Sequence, residues 1–244
     1  MIRLNYFCAI AVALFTASLA CPAVADDDLV GKHITAIGGT EALGKIKSLE
    51  RKVKTEFDVD FVTCKGTFRQ AVVKDKKAYS AMDLGVFQQE SGWNGEKAWA
   101  VDPQQGLRDI EGDDVDNLKM MAGVDPIASL KEQHGNAAFE SLGEKELNDK
   151  TYNAVKIAET ELIFFLDKET NLIEEMQVTA NDPNLGGDYT VLATYGDFTE
   201  VDGVKLPHKT EIDIADGMML ITLTYEENTV NGELEDDLFE KPAE

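Results

Sequence analysis

The chain has 244 residues, in which 46 Asp and Glu face 23 Lys and Arg for a net charge of −23. So acidic a surface repels nucleic acid and anionic membranes, and no basic run offsets it. Of the 3 cysteines, Cys8 and Cys21 lie in an N-terminal segment unlike the rest, which leaves Cys64 without an internal partner, so the fold relies on core packing.

Arg3 is followed by no charge until Asp26. Between them lie an apolar, Ala-rich run from Tyr6 to Ala20, then Pro22 and Ala23-Val24-Ala25. A basic start, an apolar middle and a small-x-small end read as a secretory signal peptide over residues 1–25. The uncharged run is almost long enough to span a bilayer as an uncleaved anchor. The Ala23-Val24-Ala25 end and the acidic Asp26-Asp27-Asp28 favour cleavage instead. Ser18-Leu19-Ala20-Cys21 is also similar to a lipoprotein box, although Ser18 stands where Leu is usual and Pro22 follows. Lipidation of Cys21 is therefore the alternative to a free periplasmic or secreted protein.

The mature chain, residues 26–244, has no Pro-rich linker, repeat or low-complexity run and reads as one domain. Val30, Ile34 and Ile37 recur at helical spacing. Gly38-Gly39 stops that helix, and Thr40 can cap a short second one over Glu41 to Ile46. His33 neighbours the apolar face and has no second His or Cys at metal spacing, so it reads as a packing or surface residue. From Leu49 the texture changes to β-branched and aromatic runs. Strands are expected near Ser48–Phe57, Cys64–Lys74, Lys77–Met82, Val86–Trp93 and Lys97–Val101, with Asn94-Gly95 as a hairpin turn. Helical texture returns once, over Leu118, Met120 and Met121, and a further short helix opens at Asp125-Pro126. The acids around Gly112 do not fit a calcium loop, because Gly112 falls at the wrong position, and they read as a helix-capping turn.

Strands follow to the end, near Ala138–Leu147, Tyr152–Ala158, Glu161–Asp167, Leu172–Ala180, Tyr189–Glu200, Lys205–Ile214 and Met219–Val230. Asp202-Gly203 marks a tight turn, and Pro207 belongs at a strand start, an edge or a bulge. His208 follows it without a nucleophile or carboxylate nearby in sequence, and reads as structural. Short turns between successive strands make an antiparallel sheet. The expected fold is α+β and mainly antiparallel β: a curled half-barrel of about ten strands, with short helices covering its mouth.

Five segments, "KHITAIGGTEALGKIKSLE", "GWNGEKAWAVDP", "FFLDKETNLIEEM", "DFTEVDGVKLPHKTEI" and "DDLFEKP", come in an order that resembles the LolA-like superfamily of outer-membrane lipoprotein-sorting proteins, in particular its uncharacterised exported bacterial members. The resemblance spans nearly all of the mature chain. It implies a half-barrel whose hydrophobic cavity, under a helical lid, holds lipidated proteins or lipid-like ligands. It also implies an arginine that helps hold the lid closed; Arg51, Arg69 and Arg108 are the arginines available.

No phosphate loop, G-x-S-x-G or H-E-x-x-H is present, and the His residues share no ligand spacing. The expected function is that of a non-enzymatic exported carrier, without cofactor or metal, for a hydrophobic ligand: a lipid, an acyl chain or a lipidated polypeptide. Candidate lining residues are Phe68, Tyr79, Met82, Phe87, Trp93, Trp99, Met120, Met121 and Phe164, with Phe139 and Tyr189 as further large apolar groups. The methionine pair suits an adaptable apolar site. One alternative is a structural or protein-interaction module that pairs with another envelope protein. The other is a hydrolase whose carboxylate pair is hidden among the many acids.

Overall fold

A computed structural model of the protein describes residues 27–59, 62–112, 114–116, 118, 123–182 and 187–243. Residues 1–25, expected to form a signal peptide, lie outside the described residues. Strand β1, Ser48–Val59, alternates Leu49, Arg51, Val53, Thr55 and Phe57 with Glu50, Lys52, Lys54 and Glu56. Successive side chains on a strand point to opposite faces, so this alternation sends one set inward and the charged set to solvent.

The meander continues through β2 (Val62–Val73), β3 (Lys77–Asp83), β4 (Gln88–Trp93), β5 (Ala98–Val101) and β6 (Arg108–Ile110). After an intervening helix come β7 (Phe139–Leu147), β8 (Lys150–Ile157), β9 (Ile163–Leu166), β10 (Ile173–Asp182) and β11 (Gly187–Gly196). The small strands β12 (Thr199–Val201) and β13 (Val204–Leu206) precede β14 (Lys209–Ile214) and β15 (Met219–Val230). Thirteen of these strands form one sheet, in the order β6-β5-β4-β3-β2-β1-β15-β14-β11-β10-β9-β8-β7. Every pairing is antiparallel. The first strand and the last therefore meet in the middle of the sheet.

Helices α1 (Asp27–Ala36), α2 (Gly39–Lys45) and α3 (Pro126–His134) lie on one face. Val30, Ile34, Leu43 and Ile127 from these helices pack in one cluster with Leu49, Val72 and Ala98 from one flank of the sheet and Phe139, Val155 and Phe164 from the other. A single cluster joining both flanks requires a sheet curled around the helices, an open half-barrel. A second cluster, built on Phe57, Leu84, Phe87, Ile214 and Ile221, fills the inward face at the hairpin ends away from α1 and α2. The outward face carries a third. There Ala71, Tyr79 and Trp99 are covered by Leu234, Leu238 and Phe239 of the C-terminal segment, and the Trp99 indole N–H donates to the Phe239 carbonyl at 3.0 Å.

The α+β, mainly antiparallel half-barrel expected from the sequence is present, with more strands than the runs revealed. Strand β6 is too short to carry a pattern. Asp197, at φ 52°, and Pro207 split two long expected strands, so that β12 and β13 leave the sheet as a separate hairpin. Its turn is Asp202-Gly203, with Gly203 at φ 82°, as the sequence indicated. The hairpin folds over α1 and α2, where Lys205 N–H donates to the Ile37 carbonyl at 2.9 Å. Thr40 is not the cap of α2. Gly38 holds that position at φ 127°, and a Cβ there would lie 2.2 Å from the Gly203 carbonyl oxygen. Only glycine admits both the conformation and the contact.

Candidate functional site: a polar stripe on the inward wall

Strand register arranges the inward face in rows that run across the sheet. Val230, Leu49, Val72, Ala78, Trp93, Ala98 and Ile110 form one row, wholly apolar. Two residues along each strand, the next row reads Asn228, Arg51, Gln70, Ser80, Ser91, Ala100 and Arg108. The row after that returns to Tyr225, Val53, Phe68 and Met82. A polar stripe thus crosses an otherwise apolar wall.

Arg51 is the centre of the stripe. Its guanidinium donates to Gln70 Oε1 at 3.2 Å and to the Val124 carbonyl at 3.4 Å, and sits 5.8 Å from the Tyr225 ring centroid. Burial is the largest influence on Arg51 and lowers its pKa, against the opposing pull of Tyr225, Asp125 and Tyr195. The residue nevertheless keeps a share of solvent-accessible surface. Arg51 is thus a half-buried cation set among the inward-facing side chains. Tyr195 behaves likewise: burial pushes its hydroxyl pKa up, and its hydrogen-bond partner is the Met176 sulfur, a weak acceptor, at 3.6 Å.

Above the stripe, Asp125 caps α3, its Oδ1 accepting from Ala128 N–H at 2.8 Å. Its Oδ2 faces His33 Nε2 of α1 at 3.1 Å, while His33 Nδ1 meets the Asn171 carbonyl of the β9–β10 turn at 3.0 Å. Both partners are acceptors, so both ring nitrogens carry protons and His33 is an imidazolium. Burial alone would lower the His33 pKa, but the charge and hydrogen bond of Asp125, with the Asn171 bond, leave it raised. Three separate elements are tied at this one side chain. His208 is held by Thr199 Oγ1 at 2.7 Å and Asn228 Nδ2 at 3.2 Å, a structural arrangement at the edge of the β12–β13 hairpin.

The expected lining residues divide. Phe68, Met82 and Trp93 lie half-buried on the inward face and border the stripe. Phe164 and Phe139 are in the same core but fully enclosed. Phe87 and Tyr189 belong to the cluster at the hairpin ends. Tyr79 and Trp99 do not face the stripe: they stand on the outward face beneath the C-terminal segment, because each is one residue out of phase with the inward-pointing set. Met120 and Met121 lie outside the described residues. Sequence reasoning named Arg51 only as one of three arginines available to hold a lid, and it missed the pairing of His33 with Asp125. A signal existed for two of them, since Arg51 sits on the apolar phase of β1 and His33 on the apolar stripe of α1.

Comparison of the sequence with protein-family models and with curated proteins gives no match. Solved structures are similar in shape. A LolA superfamily protein from Nitrosomonas europaea superposes with a TM-score of 0.58 at 12% identity, over 91% of this chain and 99% of that one. A DUF1329 family protein from Desulfovibrio piger gives 0.56 at 11% identity, over 91% and 98%. A candidate outer membrane lipoprotein-sorting protein domain from Vibrio parahaemolyticus gives 0.53 at 11%, over 86% and 94%. Half-barrel, inward helices and lengthwise agreement with these structures make the same identification: the chain has a LolA-like fold.

Proposed function

We propose that the protein is an exported carrier, with no chemistry of its own, that holds an acyl chain or a lipidated polypeptide between the half-barrel and its helices. The observation that carries this reading is the inward wall: Phe68, Met82 and Trp93 lie on the inward face of the sheet yet retain accessible surface. Apolar side chains on the concave face of a curled sheet are the surface on which such a ligand would lie. The lipoprotein-sorting description of one structural neighbour supports it. Each buried CH₂ of an acyl chain contributes about 0.8 kcal/mol before ordering costs, enough in a long chain for micromolar binding.

The carboxylate-hydrolase alternative finds little support. Among the described residues the buried acids are committed elsewhere: Asp102 to Arg108 and its own turn, Asp167 to Lys150 and its turn, Glu175 to Thr194 on the outward face. His33 has no free ring nitrogen for general-base work. The interaction-module reading has one observation in its favour. Among the described residues, the large apolar ones that are exposed, Val62, Val86, Met218 and Leu220, all sit at or beside hairpin turns at one end of the half-barrel.

Titration of the mature protein with a fluorescent fatty-acid analogue, together with mass spectrometry of organic extracts from natively purified protein, tests the carrier reading. Saturable binding, weakened by Met82→Asp in a variant that keeps its circular dichroism spectrum, is the expected result. No binding and no extractable lipid would leave the interaction module in its place.

A further inference from the structure

The polar stripe has a charge imbalance. His33 and Arg51 are both cations set into the interior, and Asp125 is the one carboxylate among the described residues whose charge raises the pKa of each. Asp125 is already engaged: Oδ2 by His33 and Oδ1 by the Ala128 amide. Arg51 has no carboxylate within ion-pair distance among the described residues, and its bonds go to a neutral amide and a carbonyl. A guanidinium carries more N–H donors than those bonds use, in a planar fork that matches two oxygens of an anion. Burying a charge without its counter-charge is strongly unfavourable, so an enclosed and unpaired arginine marks where an anion belongs. Tyr195 adds to this. Among the described residues its hydroxyl has a thioether as partner, and Arg51 is the cation that pulls its pKa down against burial. Apolar rows border the stripe on both sides, with Trp93 and Leu49 on one flank and Phe68 and Met82 on the other.

We infer that the stripe around Arg51 is a head-group subsite, and that the inward wall takes an amphiphile whose head is an anion, a carboxylate or a phosphate monoester, with its tail along the adjoining apolar rows. This rests on the carrier reading and narrows it. A neutral head would leave the guanidinium as it is now, without a counter-charge. An anionic head would complete it through charge-assisted, two-pronged hydrogen bonds.

The test compares tails of one length on three heads: myristate, tetradecyl phosphate and tetradecanol, titrated calorimetrically into the mature protein at neutral pH. The expected result is that at least one anionic probe binds about tenfold or more tightly than the alcohol. The tighter of the two identifies the head as carboxylate or phosphate. Arg51→Gln should collapse the anion-to-alcohol ratio toward unity, and Arg51→Lys should keep part of it, because the charge remains and the fork does not. Equal wild-type affinity for all three probes would overturn the subsite while leaving an apolar carrier intact. Binding of none would instead remove the carrier reading itself. The wild-type comparison stands even if the Arg51 variants do not fold.

Discussion

Asp125→Asn isolates the ion pair that joins α1 to α3. Asn is as good an N-cap as Asp, so the bond to Ala128 N–H survives the change, and only the charge facing His33 is lost. The contact is 3.1 Å long, with the His33 side chain 1% exposed and that of Asp125 14%. Removing a buried partner leaves a cation that can escape by shedding its proton, so the loss at pH 6 is about 2 kcal/mol rather than the full penalty of a stranded charge. The pH dependence is the sharper test. In the wild type the folded His33 pKa lies above the ordinary 6.5. The native state then holds more protons than the unfolded one, so this contribution is complete below 6.5 and is lost as pH rises through the raised value. Without Asp125, burial is the dominant influence and the folded pKa falls below 6.5. The contribution of His33 then reverses sign: stability is present above 6.5 and lost as pH falls. Urea denaturation of both proteins between pH 5 and 9 reads the two curves. Their difference should narrow steadily toward high pH, and each unit by which the two folded pKa values differ is worth about 1.4 kcal/mol. Parallel curves would refute the imidazolium assignment.

Two glycines should separate backbone strain from collision. Gly203→Val meets only the Ala42 Cβ at 3.7 Å, so its loss is conformational, about 1 kcal/mol, whereas Gly38→Ala adds a clash with the Gly203 carbonyl and should lose about 2 kcal/mol or more; equal losses by thermal denaturation would contradict this. Phe239→Ala empties the fully buried anchor of the C-terminal segment and should destabilise by about 3–5 kcal/mol. In a single-tryptophan background its emission shift should appear at Trp99, whose indole bonds to that segment, and not at Trp93 on the other face.

The alternating runs and turn residues made most strands and the antiparallel half-barrel legible. Asp202-Gly203 and Asn94-Gly95 are turns because their conformations are local demands that the sequence answers locally. The faces were harder to read. Tyr79 and Trp99 are as apolar as Phe68 and Met82, and the phase of a strand says only that they point the opposite way. That both faces are covered depends on Phe239 arriving from the far end of the chain. Arg51 could have been read from β1, where it is the one charged residue among Leu49, Val53, Thr55 and Phe57. Its partner Val124 could not, since no local pattern says which loop crosses above a strand. His33 was visible on the apolar stripe of α1, but its pairing with Asp125 spans elements whose arrangement only the curled sheet determines.

The junction of β1 with β15 bears on when the protein can fold. Residues Leu49 and Val230 are register partners in the middle of the sheet, near opposite ends of the described residues. Pairing across such a separation requires closing a loop of almost the whole polypeptide, and topologies rich in distant contacts form slowly. A chain delivered N-terminus first has its left-hand meander, β1 to β6, long before the strand that completes the sheet beside it. Until β15 emerges, one edge of β1 stays open and the helices have only half a wall to pack on. The native state is thus out of reach for any fragment that stops short of residue 219, which makes the last strand the step that commits the chain to a fixed shape.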